Sequence, residues 1–325
     1  MTVKEKTLEI LEKNKGSFIS GEEISEKLNV TRNAVWKAIK SLKTEGYIIS
    51  AVTNKGYCLS EKSNVFTSSL VCSQLNDALR EKLNVTVVPV VGSTNTELKA
   101  VGEKGGSEGT VLIALEQTEG RGRLGRSFYS PKDTGLYMSI LLRPDFSPEE
   151  SLFITACAAV AASEAIDKTG VKTEIKWVND IYLNGKKVCG ILTEASMDFE
   201  SRRLNYAVLG IGINLITDEF PDELKNIAGS VSNKKDDLRA FIAAEFLNIF
   251  FSYYENLRSK SFLSEYRNRS MLIGKEITFS RGNELFDGEV TGIDDEMRLL
   301  VRLDNGETEA FSSGEVQLVK GGIIK

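Results

Sequence analysis

The stretch Glu119-Gly120-Arg121-Gly122-Arg123-Leu124-Gly125-Arg126 decides which kind of α/β fold this chain adopts. Its three glycines match the GxGxxG spacing of dinucleotide-binding domains, but that fingerprint requires a helix directly after the glycines. Residues 127–133 instead read as a loop that leads into an apolar strand at 136–141. The match is one of spacing alone, and a Rossmann domain is excluded.

The same loop carries three arginines within six residues, Arg121, Arg123 and Arg126. Like charges repel one another in an empty loop, whereas a polyanion would neutralise them and let the loop close. Glycines interleaved with the arginines allow the backbone to approach a ligand closely. We therefore expect a polyanion-binding lid rather than a solvated basic loop.

A second cluster follows in Lys176-Trp177-Val178-Asn179-Asp180, with Lys186-Lys187-Val188-Cys189-Gly190-Ile191-Leu192 after it. Asn179 and Asp180 offer the oxygen ligands that Mg²⁺ prefers. Lys187 precedes an apolar strand, so its stem is expected to pack while its amine points into a site. An Asn-Asp pair alone is more often a turn, and only its occurrence with the arginine loop favours a site.

A third polar segment, Gly92-Ser93-Thr94-Asn95-Thr96, follows an apolar strand predicted over 85–91. Hydroxyl and amide side chains at a strand end either hydrogen-bond a polar ring or cap the next helix. Taken by itself, the segment favours the cap.

These segments lie in an α/β domain predicted over 65–270. Further strands are predicted at 110–115, 136–141 and 207–211, with helices at 151–167 and 235–257. The aromatic residues of the last helix are assigned to core packing rather than to a cofactor. Short alternating strands separated by Asp-Gly and Asn-Gly turns predict a small SH3-like β-barrel domain over 271–325.

On the N-terminal side of the central domain, the pattern of residues 1–63 predicts a winged helix-turn-helix. Helices are expected at 3–14, after Ser20 and from Thr31 to about Thr44, and a hairpin joins 47–52 to 56–59. Residues 61–64 form the linker. The whole chain is thus a multidomain α+β protein with a winged helix-turn-helix, a central α/β domain and a C-terminal barrel.

The N-terminal module has the charge of a nucleic-acid-binding domain. Residues 1–62 hold 11 Lys and Arg against 8 Asp and Glu, although the whole chain has a net charge of −5. The outward side of the third helix is predicted to enter a DNA major groove, and the wing to reach a phosphate. The DNA-binding residues are taken as Thr31, Arg32, Asn33, Lys37, Lys40 and, on the wing, Lys55. Trp36 borders the apolar stripe and is assigned to packing.

Composition limits the chemistry. The chain has no histidine, which excludes Ser-His-Asp triads and His-based metal sites. Its four cysteines are far apart and are expected to be free, mostly buried thiols. The first residues lack the apolar run of a signal peptide, and no apolar run approaches the ~20 residues of a membrane span. A soluble, cytoplasmic protein is therefore expected.

Together, GRGRLGR, KWVND and KVCGIL in this order resemble the bifunctional biotin–protein ligase/biotin operon repressor family, over the whole chain. The resemblance implies two steps: biotin and ATP form biotinyl-5′-AMP, and the biotinyl group then passes to a lysine of a biotin carboxyl carrier protein of acetyl-CoA or pyruvate carboxylase. It also implies repression of biotin synthesis and uptake genes on operator DNA. Biotinyl-5′-AMP would act as corepressor of a homodimer.

The resemblance also implies roles for residues. Lys187, Arg123 and Asp180 would be catalytic, with Lys187 bridging the biotin carboxylate and the α-phosphate and Asp180 helping to hold Mg²⁺. The biotin ureido ring would be held by Ser93, Thr94, Asn95 and Gln117. The remaining ligand-binding positions are Gly120, Arg121, Gly122, Arg126, Phe128, Lys176, Asn179, Gly190 and Asn214.

The sequence departs from the family at two places. Val178 stands where members commonly have proline, and Phe128 stands where many have a tryptophan that would stack on adenine. Two other functions remain open at this point: a ligase for another carboxylate such as lipoate, and a transcription regulator that senses a ligand without catalysis. The GRGRLGR loop favours biotin over the first, and retention of Lys187, Arg123 and Asp180 argues against the second.

Overall fold

The structure is a computed structural model that describes residues 2–61, 63, 65–145, 147, 150–198, 203–232, 238–281, 284–312 and 315–318. The chain divides into two compact units, which are Met1–Arg80 with Asp236–Ala244, and Glu81–Lys235 with Glu245–Lys325. Part of the predicted linker, Lys62 and Asn64, lies outside the described residues, as do 235–237 of the last predicted helix.

The first unit begins with the predicted winged helix-turn-helix. Its elements are α1 (Val3–Lys13), α2 (Gly21–Leu28), α3 (Arg32–Thr44), β1 (Ile49–Val52) and β2 (Gly56–Leu59). Helices α2 and α3 begin where predicted because Ser20 and Thr31 each accept a hydrogen bond from a backbone N–H of the first turn. The predicted stripe of α3 is buried in a core formed by Leu8, Leu11, Ile19, Ile24, Val35, Ile39, Leu42, Tyr47, Ile49 and Leu59.

The assignment of Trp36 to packing was wrong. Its side chain is 51% exposed, and Lys40 Nζ lies 5.4 Å from the centre of its ring. Successive helix residues turn by about 100°, so Trp36 points well away from the buried Val35 and falls between Arg32 and Lys40. It belongs to the outward face of α3.

Two short helices that the sequence did not predict, α4 (Ser68–Ser73) and α5 (Asp77–Lys82), follow the hairpin. The core of the second unit is a seven-stranded sheet in the order β3-β4-β5-β9-β8-β7-β6. Its strands are β3 (Asn84–Val88), β4 (Thr110–Ala114), β5 (Gly135–Leu142), β6 (Glu174–Lys176), β7 (Asp180–Leu183), β8 (Lys186–Asp198) and β9 (Arg203–Asn214). Strands β3 and β4 pair in parallel, and the other neighbours are antiparallel.

The helices of the second unit include α6 (Thr94–Glu103), α7 (Ser151–Asp167) and α9 (Leu263–Asn268). The residues of α8 (Arg239–Tyr254) are divided between the units after Ala244. Helix α7 is buried along most of its length and packs on β6, β7 and β8. Phe246 and Phe250 of α8 are stacked and fully buried, which confirms core packing for this aromatic helix.

The C-terminal strands form a second, antiparallel sheet in the order β13-β12-β11-β10-β14. They are β10 (Glu276–Arg281), β11 (Glu284–Ile293), β12 (Leu299–Leu303), β13 (Thr308–Phe311) and β14 (Glu315–Leu318). Phe279 and Phe311 pack at its centre with ring centroids 4.1 Å apart. This is a small β domain of the expected SH3-like kind, although no pairing among its described residues joins β13 to β14.

The four cysteines are free, as predicted, with Cys157 and Cys189 buried and Cys58 and Cys72 partly buried. Within the described part of the chain, no helix has the length and apolar character needed to cross a membrane.

Candidate functional site

One face of the central sheet carries the predicted site because strand register brings its residues together. Ser139 of β5 pairs with Gly210 of β9, and Gly212 pairs with Gly190 of β8. Gly190 in turn pairs with Asp180 of β7. Directly paired residues point to the same face of a sheet, so Ser139 and Asp180 share one surface, with glycines of β9 and β8 between them.

On the opposite face of the sheet, α7 packs on β6, β7 and β8. Thr155 of α7 and Thr193 of β8 form a hydrogen bond of 2.7 Å. Because side chains alternate along a strand, Glu194 next to Thr193 points to the site face. That face is covered in part by α6, whose Leu98 packs on Leu141 and Val208.

The start of α6 forms the first polar cluster. The backbone N–H and the hydroxyl of Thr94 both lie within hydrogen-bond distance of Gln117 Oε1, at 2.9 and 3.1 Å. Gln117 Nε2 donates to Ser130 Oγ at 3.0 Å. Ser139 Oγ lies 2.7 Å from Thr94 Oγ1 and 2.6 Å from Asn95 Oδ1. This cluster, here called the amide pocket, presents donors and acceptors with fixed directions.

Gly210 is required beneath the amide pocket. A Cβ atom at this position would lie 2.1 Å from Asn95 Oδ1. Asn95 itself is 4% exposed and donates from Nδ2 to a carboxylate oxygen of Glu194 at 2.9 Å. The pocket therefore depends on a glycine in β9 and on an acidic residue in β8.

The second polar cluster lies across the face at β7 and β8. Lys187 Nζ is 2.6 Å from Asp180 Oδ1, and these two side chains are 29% and 24% exposed. Arg123 lies in residues 119–126, here called the glycine-arginine loop, and donates to Asn179 Oδ1 at 3.0 Å. This cationic cluster, defined by Arg123 and Lys187, is the natural counterpart of phosphate and carboxylate groups.

Phe128 covers the sheet between the two clusters. A Cβ on Gly212 would lie 2.4 Å from the Phe128 ring, and one on Gly190 would lie 3.4 Å from it. The ring packs edge-on against Tyr137, with centroids 6.4 Å apart. Glycine at both paired positions leaves room for an aromatic ring flat on the sheet.

Asn214 lies at the end of β9 and holds an unsatisfied polar atom. Its side chain is 5% exposed, and its Oδ1 is buried without a hydrogen-bond partner among the described residues. A buried acceptor without a donor is costly, and such atoms commonly await a ligand or water.

Two local structures position the cationic cluster. In the glycine-arginine loop, Gly122 N–H donates to Arg126 O at 2.7 Å and Phe128 N–H donates to Gly120 O at 2.9 Å. In the turn at 177–179, where the Trp177–Val178 peptide is cis, Trp177 Nε1 donates to Met297 O of the C-terminal β domain at 2.9 Å. Tyr266 Oη donates to Val178 O at 3.1 Å.

Electrostatics differ between the clusters. Burial raises the pKa of Glu194, but hydrogen bonds from Asn95 and Lys99 and the charges of Lys99 and Arg121 outweigh burial and leave that pKa below its ordinary value. Near the cationic cluster, burial and the charge of Asp180 raise the pKa of Tyr182 to about 12. Glu194 is therefore an anion and Tyr182 a neutral phenol at physiological pH.

The described residues do not form a metal site by themselves. No three His, Cys, Asp or Glu side chains among them converge on one point. Asp180 is a lone carboxylate that already pairs with Lys187, and Asn179 Oδ1 already accepts from Arg123. These donors suit at most one contact to a cation that arrives with a phosphate chain.

Most predicted site residues meet on this face, with Lys176 directly paired with Asp180 across β6 and β7. Ser93 occupies the N-cap position of α6 and is 3% exposed, but its side chain makes no capping hydrogen bond, so the segment begins the helix without the side-chain cap that the sequence favoured. The polar side chains at 94 and 95 turn inward to the amide pocket instead.

Sequence reasoning missed Ser130, Ser139 and Glu194. Ser139 had a usable signal, because it is the one hydroxyl inside the otherwise apolar, fully buried run of β5 apart from the Tyr137 phenol. Glu194 gave no comparable signal, since a charged residue in a strand more often faces solvent.

The winged helix-turn-helix has a separate exposed face. Arg32, Asn33, Lys37 and Lys40 are exposed on α3, and α3 contains no acidic residue. Lys55 on the wing lies 6.0 Å from the centre of the Phe18 ring. A cationic helix face with a nearby wing has the shape and charge to contact duplex DNA.

Three known families match the chain in order. Residues 3–58 match an HTH domain, residues 87–214 match the Biotin/lipoate A/B protein ligase family, and residues 272–319 match the Biotin protein ligase C terminal domain.

Similar proteins span the whole chain. The bifunctional ligase/repressor BirA of Bacillus subtilis (strain 168) is 35% identical over 320 residues, covering 96% of this chain and 98% of that protein. The protein of the same description from Escherichia coli (strain K12) is 29% identical, covering 93% and 94%. Among solved structures, the biotin protein ligase from Aquifex aeolicus in complex with biotin and ATP is 30% identical with a TM-score of 0.62, covering 73% of this chain and 98% of that one.

Proposed function

Because the chain belongs to the family of bifunctional biotin–protein ligases and biotin operon repressors, we propose that its sheet face joins biotin to a carrier protein and that α3 binds operator DNA. The observation that carries the catalytic half is the pairing of an amide pocket with a cationic cluster on one sheet face, on either side of Phe128. A ureido ring needs directed donors and acceptors, whereas a carboxylate and a triphosphate need cations.

Biotin binds with its ureido ring at the amide pocket and its carboxylate toward Lys187. Ser93, Thr94, Asn95 and Gln117 surround the ring. Lys187 and Arg123 offset the repulsion between the biotin carboxylate and the α-phosphate of ATP. Phe128 and Asn214 flank the nucleotide, with Arg126 near the phosphates; the remaining contacts come from Gly120, Arg121, Gly122, Lys176, Asn179 and Gly190.

The reaction then has two balanced steps. A biotin carboxylate oxygen attacks the α-phosphorus, the bond to the β-phosphate oxygen breaks, and pyrophosphate leaves. A neutral lysine amine of the carrier next attacks the carbonyl carbon of biotinyl-5′-AMP, loses a proton and displaces AMP. The glycine-arginine loop shields the mixed anhydride from water between the steps.

Magnesium enters as part of the nucleotide substrate. A Mg²⁺ ion on ATP keeps several water and phosphate ligands and needs one or two protein carboxylates. Asp180, which contacts Lys187 of the cationic cluster, would supply one such carboxylate. The acceptor is a biotin carboxyl carrier protein of acetyl-CoA or pyruvate carboxylase.

We assign the control of DNA binding to biotinyl-5′-AMP. Residues 1–63 bind DNA, 65–270 catalyse the ligation and 271–325 form the C-terminal barrel domain, which contacts the catalytic turn through Trp177. Biotinyl-5′-AMP orders the loops of the site and promotes a homodimer, which occupies a two-fold operator as repressor of biotin genes. Carrier and operator are both cytoplasmic, so we place the protein there.

The experiment is transfer of radiolabelled biotin from biotin and ATP to a purified carrier domain. ATP-dependent labelling of the carrier supports the ligase function. If the protein binds biotin and ATP but transfers no label, it senses the ligand without catalysing the transfer. Titration calorimetry with biotin and lipoate separates the two acids. Sedimentation with and without biotinyl-5′-AMP tests regulation, and an unchanged dimerisation constant would contradict it.

A further inference from the structure

Glu194 connects the amide pocket to the glycine-arginine loop. Its side chain lies on β8, is 23% exposed and divides its two oxygens between different partners. Oε2 accepts from Asn95 Nδ2 at 2.9 Å, and Oε1 accepts from Lys99 Nζ at 2.9 Å. Arg121 Nη1 lies 3.9 Å from the same Oε1. One carboxylate therefore contacts the pocket, α6 and the loop.

The carboxylate fixes which way the Asn95 amide points. An ionised carboxylate only accepts hydrogen bonds, so the atom facing Glu194 must be the NH₂ group. The amide oxygen then faces Ser139 Oγ at 2.6 Å. Asn95 Nδ2 also lies 3.4 Å from Leu192 O, a longer contact that favours the same orientation. Without Glu194, this contact is the remaining one among the described residues that would oppose a half-turn of the amide, and such a half-turn would exchange acceptor for donor toward Ser139 Oγ.

Charge balance explains why an acid is needed at this point. Lys99 and Arg121 bring two positive charges within 4.0 Å of one carboxylate oxygen. Removing the carboxylate would leave these cations to repel each other across the pocket and would favour an outward position of Arg121. The contact of the loop with the pocket thus depends on this residue.

We propose that Glu194 is a positioning residue that sets the donor–acceptor pattern of the amide pocket and anchors Arg121 of the loop above it. This inference rests on the proposed function, because it assumes that the pocket receives a ureido ring. Loss of the Glu194 carboxylate should therefore weaken the binding of biotin more than that of ATP. It should also weaken the retention of biotinyl-5′-AMP.

The test compares Glu194→Ala and Glu194→Gln with Glu97→Gln, which alters an exposed carboxylate in the first turn of α6. We expect Glu194→Ala to raise KM for biotin at least tenfold, with a smaller change in kcat and in KM for ATP. Gln retains the shape and one acceptor, so its defect should be intermediate. Glu97→Gln should match the wild type.

A double-mutant cycle tests the anchoring of the loop. Biotinyl-5′-AMP leakage is measured for Glu194→Ala, Arg121→Ala and the pair, and strongly non-additive effects are expected because the two side chains act together. Unfolding temperatures identify any variant that fails to fold, in which case Glu194→Gln alone carries the comparison.

The outcomes separate the two proposals. A wild-type protein that does not bind biotin overturns the proposed function. If the wild-type protein is active, two results overturn the role of Glu194 alone. In the first, the KM for biotin is unchanged in the Glu194 variants. In the second, the KM values for biotin and ATP rise equally.

Discussion

Replacement of Lys187 by alanine probes the cationic cluster with a control in the adjacent residue. Lys187 Nζ lies 2.6 Å from Asp180, whereas Lys186 Nζ donates to Lys225 O at 3.1 Å on an exposed surface. If Lys187 stabilises charge only in the transition state, its loss should lower kcat for adenylate formation about 10²–10³-fold. At about 1.4 kcal/mol per tenfold, this is about 3–4 kcal/mol of activation free energy.

The effect on folding should be smaller. The ion pair is about a quarter exposed on each side, so solvent screens it, and its loss should cost about 1 kcal/mol of unfolding free energy. The variant therefore stays folded at 25 °C while catalysis falls. Pyrophosphate release measures the first quantity and scanning calorimetry the second, with Lys186→Ala close to wild type in both. Turnover of Lys187→Ala within threefold of wild type would refute the role of Lys187.

Three further changes test other parts of the account. Arg123→Gly removes the 3.0 Å bond to Asn179 that ties the loop to the turn, so free biotinyl-5′-AMP should leak several-fold faster, as followed by chromatography of labelled product. Trp36 is 51% exposed and Trp177 only 5%, so acrylamide quenching reports mainly Trp36; a duplex selected from a random pool should protect it if α3 enters the groove. Gly210→Ala places a Cβ 2.1 Å from an amide-pocket oxygen and should weaken biotin binding at least tenfold in calorimetry.

Each of these has a result that contradicts it. Gly292→Ala is the control for Gly210→Ala, because its nearest contact would be an ordinary 3.9 Å, and equal biotin affinities in the two variants would dismiss the steric argument. If Arg123→Gly releases biotinyl-5′-AMP no faster than the wild type, the loop does not protect the anhydride. If acrylamide quenches Trp36 equally with and without the bound duplex, the DNA binds to a surface other than the outward face of α3.

The winged helix-turn-helix was predictable nearly residue by residue because its determinants are local. Ser20 and Thr31 cap the helices that follow them, and the stripe of α3 sets the buried face. Trp36 was misjudged because a large aromatic next to a buried stripe normally packs, and only the helix geometry reveals that it faces outward.

Most residues of the candidate site could be predicted from the sequence, but the contacts between them could not. The motifs at 92–96, 119–126 and 176–192 identified most of the residues that meet on the sheet face. Their partners depend on the pairing of β5, β9 and β8, which joins residues far apart in sequence. For that reason the role of Glu194 emerged only from the register of the sheet, whereas Ser139 stood out in the sequence as a hydroxyl within an apolar run but without a partner.

One sheet face is proposed to bring biotin and ATP together so that the biotin carboxylate displaces pyrophosphate from the α-phosphorus. The most direct measurement is biotin-dependent exchange of labelled pyrophosphate into ATP by the purified protein, with calorimetric titration of each substrate alongside. We expect exchange that requires biotin. A folded protein that binds neither biotin nor ATP, and that catalyses no exchange, would contradict it.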